Sequence, residues 1–500
     1  MKRELRWYDY ITVNIYFLGL TTVAQTNGLV FPLLVQEFVG EAVKGSYLGS
    51  LRLATLMVAL LMQAIWGLFS DRSTLPWGRR RPFIFFGTLG ALVFYVAIGF
   101  SAGLSGMTGL AVLFAAGILM QIASNAGQAA QQGLIPDLVP ENKRGKFSGI
   151  KAVVELPVPL ILVSFTIARV ISGGNLLGGI LAASAVLLAT MLLAMFVPEQ
   201  RRAETPGTFD WTPILRLALM AGAFTLIILG TGQVVKFLGQ ALQNTESLPT
   251  LVAVMGIAGL LAMLVAVALG VWVSVRLSIG EAAARRQPSF TWWIINRLAF
   301  LVGATNLSTF AVYFIQARLG YVREQAAGPA AFLMMVVGVF ILVTALPSGW
   351  LADRFGRKPL VAISGLVAAL GTLVALLVPN LTVIYIGGCL IGIATGLFFT
   401  ANWALGTDIV PKSEAARYLG ISNLAGAGAG AVGAYIGGPI ADFFTVQVPE
   451  FQGLGYVVLF GIYGTLFLLS VVALRGVFET RAAAGAPAID QAQSSPATGR

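Results

Sequence analysis

The 500-residue chain contains no histidine and a single cysteine, Cys389, set in an apolar stretch. Without histidine it lacks the usual proton shuttle and the commonest metal ligand. One thiol supports neither a disulfide framework nor a thiolate metal site. Charge is scarce too: 11% of residues are charged, against roughly 25% in an average soluble domain. Hydrophobic residues make up 57% and the mean hydropathy is +0.85. A soluble fold of this length has nowhere to hide that much apolar surface, whereas a bilayer makes lipid the solvent. The net charge of +11 invites a nucleic-acid reading, but the basic residues sit in short clusters between apolar runs, which excludes it. Gly426, Gly428, Gly430, Gly433, Gly437 and Gly438 form a glycine-rich stretch without the Gly-Lys-Ser/Thr ending of a phosphate loop. Close helix packing through small residues explains them. With no nucleophile–base pair, metal cluster or nucleotide loop, an enzyme is not expected. Neither is a cofactor, beyond a coupling proton or sodium ion.

What the chain does have is long apolar runs. A spanning helix needs about 20 mostly apolar residues, and fourteen candidates meet that length. Six lie at 8–34, 46–69, 83–103, 109–134, 147–172 and 176–197; two at 213–239 and 249–276; six at 290–317, 325–351, 359–378, 382–409, 417–443 and 454–477. The weakest is 213–239, which carries Gln233 and Lys236. Lys2, Arg3 and Arg6 precede the first run, which is too long for a signal-peptide core and reads as an uncleaved span. With the N-terminus inside and fourteen spans threaded, Lys44, Arg169, Lys236, Arg318 and Arg323 fall outside. Arg52, Lys151 and Arg297 fall within spans, and the other basic residues fall inside or in the tails. This is the bias of the positive-inside rule, and it places both termini in the cytoplasm of a bacterial inner membrane. The tail 479–500, rich in Ala, Pro, Gly, Ser and Gln, reads as disordered.

The chain also repeats itself. Gly67, Asp71 and Arg72 are followed by Gly78, Arg79, Arg80, Arg81 and Pro82; later, Gly349, Asp353 and Arg354 are followed by Gly356, Arg357, Lys358 and Pro359. Asp137, Pro140 and Gly149 recur at the same spacing as Asp408, Pro411 and Gly420. Internal repeats of this kind mark transporter folds, with the substrate site between the halves. Gly78 and Gly356 permit tight turns. Asp71 and Asp353, at the membrane surface, are placed to hold a neighbouring helix N-terminus or to pair with arginine. Such a latch is breakable, as alternating access requires. The gating candidates are therefore Asp71, Arg72, Gly78, Arg79, Arg80, Asp353, Arg354, Gly356 and Arg357. Arginines that only set topology would account for the positive charges but not for the paired aspartates.

The doubled Gly-x-x-x-Asp-Arg…Gly-Arg-Arg/Lys pattern resembles the loop signature of the major facilitator superfamily. Ser70, Asp71 and Arg72 with the run Trp77 to Ile84 are similar to the branch of plant sucrose transporters and glycoside–pentoside–hexuronide cation symporters. The resemblance implies an all-α membrane fold of two six-helix bundles about a central cavity. Spans one, four, seven and ten of the twelve core spans would line it. The expected division is 1–197 and 290–478 for the bundles, with 198–289 as a linker holding an inserted helix pair. That pair resembles bacterial oligopeptide transporters, but their acidic first-span motif is missing. The aspartates of the sodium- and proton-coupled melibiose-like symporters are missing too: Arg52, Gln63, Gln121, Asn125 and Gln128 occupy those spans. A monomer is expected from the fold.

Polar groups are costly in lipid, so their positions point to a cavity or to helix contacts. The candidate substrate-binding residues are Gln25, Asn27, Gln121, Asn125, Gln128, Asn306, Tyr313, Asn402 and Trp403. Gln121, Asn125 and Gln128 share one helix face. Uncharged amides, hydroxyls and aromatic faces suit a neutral polyhydroxyl solute, a sugar or glycoside. The same set suits a hydrophobic drug or a lipid, which leaves an exporter as the alternative and a non-transporting scaffold as a third. Glu155, the only carboxylate well inside a predicted span, stands one turn from Lys151. It is the candidate coupling residue, with Lys151 and Arg52 beside it, and a plain structural ion pair is the competing reading.

Overall fold

The computed structural model describes residues 6–140, 143–197, 199, 211–410 and 415–478. The expected disordered tail 479–500 and the connector 200–210 lie outside the described residues. Apolar helices dominate: α1 (Asp9–Val39), α2 (Lys44–Asp71), α3 (Arg81–Ser101), α4 (Gly106–Leu138), α5 (Lys146–Ser172), α6 (Leu176–Ala194), α7 (Thr212–Ala241) and α8 (Leu248–Ile279). They continue with α9 (Pro288–Thr309 and Ala311–Leu319, bent by 58°), α10 (Ala327–Phe355), α11 (Arg357–Leu377) and α12 (Leu381–Ile409). The last two are α13 (Ala415–Gln447) and α14 (Leu454–Ala473). Thirteen are individually long and apolar enough to cross a membrane, and the bent α9 makes a fourteenth. The weakest expected span, 213–239, is a continuous helix. Its Lys236 ammonium lies 5.2 Å from the centroid of the Tyr435 ring on α13, which gives the charge an aromatic partner.

Local chemistry sets the ends. Asn175 and Asn380 cap α6 and α12, their side-chain oxygens accepting from Gly178 N (2.7 Å) and Thr382 N (2.8 Å). Gly78 and Gly356 have φ of 119° and 94°, so the two motif loops turn through conformations other residues rarely reach. Two irregularities were not expected. The fifth span is interrupted at Leu156, where Pro157 and Pro159 remove two amide donors, and it passes through a π-helical stretch at Val163–Ile167. The bend in α9 falls at Phe310 without a proline. There the Asn306 amide and Thr309 hydroxyl donate back to Val302 O and Thr305 O, competing for the helix ladder.

The sequence repeat returns as a packing repeat. α1 packs on α6 as α9 packs on α14; α2 on α4 as α10 on α12; α3 on α4 as α11 on α12; α3 on α6 as α11 on α14. Small residues bring equivalent pairs close: a Cβ at Gly87 would lie 2.8 Å from Ala123 O, and one at Gly371 2.9 Å from Gly387 O. Two seams join the six-helix groups, α2 with α13 and α5 with α10. The pair α7–α8 lies outside this symmetry. α7 rests on α13 and on α2, and α8 on α13, α9 and α14.

Candidate functional site

The two motif loops lie at one end of the bundle, called the basic end. In the first loop Arg80 is 4% exposed. Its guanidinium donates to Asp137 Oδ2 (2.9 Å) and Ser70 Oγ (2.6 Å) and pairs with Asp71 Oδ1 at 2.5 Å. Arg79 donates to the same Asp71 oxygen at 2.8 Å. Arg72 is the C-cap of α2. Glu199 reaches back to the start of α3, accepting from Arg80 N (2.7 Å) and Arg81 N (3.0 Å). Burial lifts the Glu199 carboxyl above the usual range, against the pull of those two amides and both arginines. In the second loop Arg357 pairs with Asp408 and donates to Ala404 O (2.9 Å), and Lys358 donates to Val477 O (2.6 Å). Asp353 is exposed, and Arg354 lies over Trp350 and Phe355. In both copies a loop arginine thus meets the aspartate of the Asp-Leu/Ile-Val-Pro segment.

The opposite end is sealed. Tyr313 donates to Pro32 O (2.7 Å), Gln316 to Gln36 Oε1 (3.0 Å) and Lys44 to Gln316 Oε1 (3.2 Å). Arg323 pairs with Glu37, and Gly328 N donates to Ser172 Oγ at 2.9 Å. Asp442 of α13 accepts from the amides of Gly45 (2.8 Å) and Ser46 (2.7 Å) on α2. Among the described residues, every hydrogen bond and ion pair between helices α1–α6 and α9–α14 lies at this end. At the basic end the loop contacts described above run within each group. The structure is closed at the end opposite them.

Between the two ends the expected site residues fall into separate groups. Asn402 is buried, accepts from Arg297 Nη1 (2.9 Å) and donates to Asn296 Oδ1 (2.8 Å). Trp403 beside it is 42% exposed, with the Arg297 guanidinium 5.6 Å from its ring. Gln121 and Asn125 are joined by a bond from Asn125 Nδ2 to Gln121 O (2.7 Å). Gln25 and Gln128 are half-buried, and the Asn27 amide lies 3.8 Å from Met120 Sδ. Lys151 and Glu155 approach to 3.5 Å, and Lys151 lies over Phe17. The Arg52 Nε is buried without a partner among the described residues. Asn306 and Tyr313 stand apart from these groups. Asn306 donates to Ala429 O on α13 (3.0 Å), and Tyr313 belongs to the seal.

A cavity of about 190 Å3 opens between α9, α10, α12 and α14, lined mainly by apolar side chains such as Leu301, Met334 and Phe399, with the hydroxyls of Thr305, Ser308 and Thr395. Arg297 shares a helical face with Leu301, Ala304 and Ser308, at i, i+4, i+7 and i+11, so the Arg297–Asn402–Trp403 group lies beyond the cavity lining, one turn towards the basic end. Its three hydroxyls were visible as polar positions in apolar runs; what the sequence concealed was which of them share a face with a void. Asp442, 6% exposed, was missed because α13 runs to Gln447, four residues past the expected end. Glu155 is therefore not the only carboxylate within a span. The available signal was an acid after Pro439 in a run of Gly and Ala.

The Major Facilitator Superfamily model matches residues 16–321 and 293–498. Among curated relatives, the minor myo-inositol transporter IolF of Bacillus subtilis (strain 168) is 40% identical over 90 residues, a segment covering 18% of this chain and 20% of IolF. The fold is similar to that of the peptide transporter POT in complex with sulfate (TM-score 0.65, 14% identity, 95% of this chain and 96% of that one). It is also similar to a D-xylose-proton symporter (TM-score 0.64, 16% identity, 95% and 99%) and to the nucleoside transporter NupG (TM-score 0.61, 13% identity, 94% and 100%). The family match over most of the chain and the repeated six-helix packing agree: the chain belongs to the Major Facilitator Superfamily and is an integral membrane transporter, not an enzyme.

Proposed function

We propose that the protein carries a small neutral polyhydroxylated solute, a sugar or glycoside, across a bacterial inner membrane by alternating access. Both termini then lie in the cytoplasm, and the basic end faces it. The observation that carries this reading is the chemistry of the cavity wall and of the polar groups within the spans. The cavity offers Thr305, Ser308 and Thr395 hydroxyls on an apolar wall, with the half-buried amides of Gln25, Gln121 and Gln128 on other helices. Hydroxyl and amide groups both donate and accept, as polyol recognition requires, and the exposed Trp403 ring suits stacking on an apolar sugar face. Support comes also from the relative named as an inositol transporter and from the fold neighbour named as a xylose–proton symporter. In this reading Asn27, Asn125 and Asn402 orient the binding amides and arginine. The Lys151–Glu155 pair is the coupling candidate, and the ion clusters of Asp71–Arg80 and Arg357–Asp408 are re-formed in each cycle as gates.

The apolar majority of the cavity wall favours a second reading, export of hydrophobic drugs or lipids. Counterflow of radiolabelled sucrose, maltose, melibiose and myo-inositol into proteoliposomes separates the two, because counterflow needs no coupling ion. Accumulation of one of them, abolished by Asp71→Ala, is the expected result. No counterflow with any of the four, together with efflux of a lipophilic cation, replaces the first reading with the second.

A further inference from the structure

Asp442 spans the seam between the two six-helix groups. Its two oxygens accept from Gly45 N at 2.8 Å and Ser46 N at 2.7 Å. These amides belong to the first turn of α2, where helix geometry supplies no internal acceptor and the helix dipole favours a negative charge. α2 is therefore capped by a carboxylate from the opposite half of the molecule. The contact is possible only because the backbones nearly touch: a Cβ on Gly45 would lie 2.7 Å from both Gly438 O and Asp442 Oδ1.

The carboxylate is buried by the protein yet borders a cavity. A cavity of about 460 Å3 between α2, α7 and α13 is lined by Ser46, Lys236, Gln240, Pro439, Asp442 and Gln447. The titratable and charged groups around Asp442 come from every neighbouring element. Glu41 precedes α2, and Lys44 begins it, bonded to Glu41 at 2.6 Å and lying 4.4 Å from the Tyr313 ring centroid of α9. Lys236 comes from α7, and Tyr456 from α14 stands 6.1 Å ring to ring from Tyr313.

We propose that Asp442 is a proton-binding site of the transport cycle and that its protonation unlocks the sealed end. A proton on one oxygen turns an acceptor into a donor, facing an amide that is itself a donor. One first-turn amide of α2 then loses its partner and the dipole loses its counter-charge, so α2 and α13 are held by packing alone. Glu155, on the other half, has no part in this step. The inference rests on alternating access and not on the identity of the solute.

The test uses the full-length protein in nanodiscs, in a Cys389→Ser background with spin labels at Leu104→Cys and Phe451→Cys. Both positions are exposed loop sites at the sealed end, one on each half. The inter-label distance distribution is recorded from pH 8.5 to pH 5 without substrate, so the outcome is independent of the counterflow result. The expected result is a longer-distance population that grows as pH falls, is present at every pH in Asp442→Asn, and regains its pH dependence in Asp442→Glu. An Asp442→Asn protein that stays sealed overturns the proposal, and so does a pH response that survives this substitution. Because Asp442→Glu retains a titrating acid, it separates loss of the switch from loss of folding.

Discussion

The same loop arginine is held differently in the two halves. Arg80 is nearly inaccessible and has three partners, whereas the Arg357–Asp408 pair is about one-third exposed. Removing Arg80 takes a buried charge-assisted partner from Asp137 and Ser70, although Asp71 keeps Arg79, whereas a partly exposed ion pair contributes about 1 kcal/mol or less. Arg80→Ala should therefore lower the thermal unfolding midpoint in detergent clearly, and Arg357→Ala only slightly. Equal shifts would contradict the difference in burial. Arg80→Lys recovers little, because an ammonium cannot repeat the guanidinium fork over Asp71, Asp137 and Ser70.

Glu41 gives a pH prediction. Burial pushes its carboxyl up, but the bond and charge of Lys44 and the amide of Gln36 outweigh this and hold it below the usual range. A carboxyl depressed in the folded state contributes stability above its unfolded pKa of about 4.3 and loses it as pH falls through the folded value. Glu41→Gln should therefore unfold at lower temperature than the parent at pH 7, with the gap closing below about pH 4. A gap that does not narrow as pH falls below that unfolded value would assign the effect to packing. At this scale the sequence was partly legible. The paired motif residues could be read because they recur, and Glu155 because it breaks an apolar run. That Tyr313 donates to Pro32 O, or that Asp442 caps a helix of the other half, depends on partners about 280 and 400 positions away in the chain, which no local pattern reveals.

Helices were the most legible level. Each expected span has a helix at its place, with ends displaced by a few residues, because a run of about 20 apolar residues has one low-energy form in lipid. The two breaks were not legible. Pro157 and Pro159 were visible, but the π-helical relaxation after them depends on what α5 packs against. The bend at Phe310 arises from side chains that donate to their own backbone. The glycines of α13 were read as a packing surface, and at the α2–α13 crossing that is their use. The Gly49 site abuts the backbone of Ala434, whereas Gly222 of α7 has no neighbour within 4 Å of a built Cβ. Gly49→Val should consequently hold the sealed end apart and abolish counterflow, while Gly222→Ala leaves both unchanged. Cross-linking yield between Leu104→Cys and Phe451→Cys, lost only in the Gly49 variant, is the check.

The whole molecule is a near-symmetric pair of six-helix groups with an asymmetric addition. α7–α8 packs on α9, α13 and α14, and its main contact with the first group is α7 on α2. The Gln447 amide donates to Gln243 O at 2.5 Å, which ties the end of α7 to the end of α13. The extra pair should therefore move with the second group. A short bismaleimide joining Gln243→Cys to Gln447→Cys should leave transport intact, whereas one joining Gln240→Cys to Tyr47→Cys on α2 should arrest it. Arrest by the first link would place α7 with the other group.

That placement has a consequence for molecules dissolved in the bilayer. A symmetric twelve-helix bundle of this kind has two lateral cracks through which an acyl chain could slip towards the centre, one along each seam. Here α7 stands like a doorpost against one of them, the α2–α13 line, whereas the α7–α8 pair makes no comparable packing on α5 or α10 among the described residues. Lipid tails, and any amphiphile travelling among them, thus meet two unlike seams.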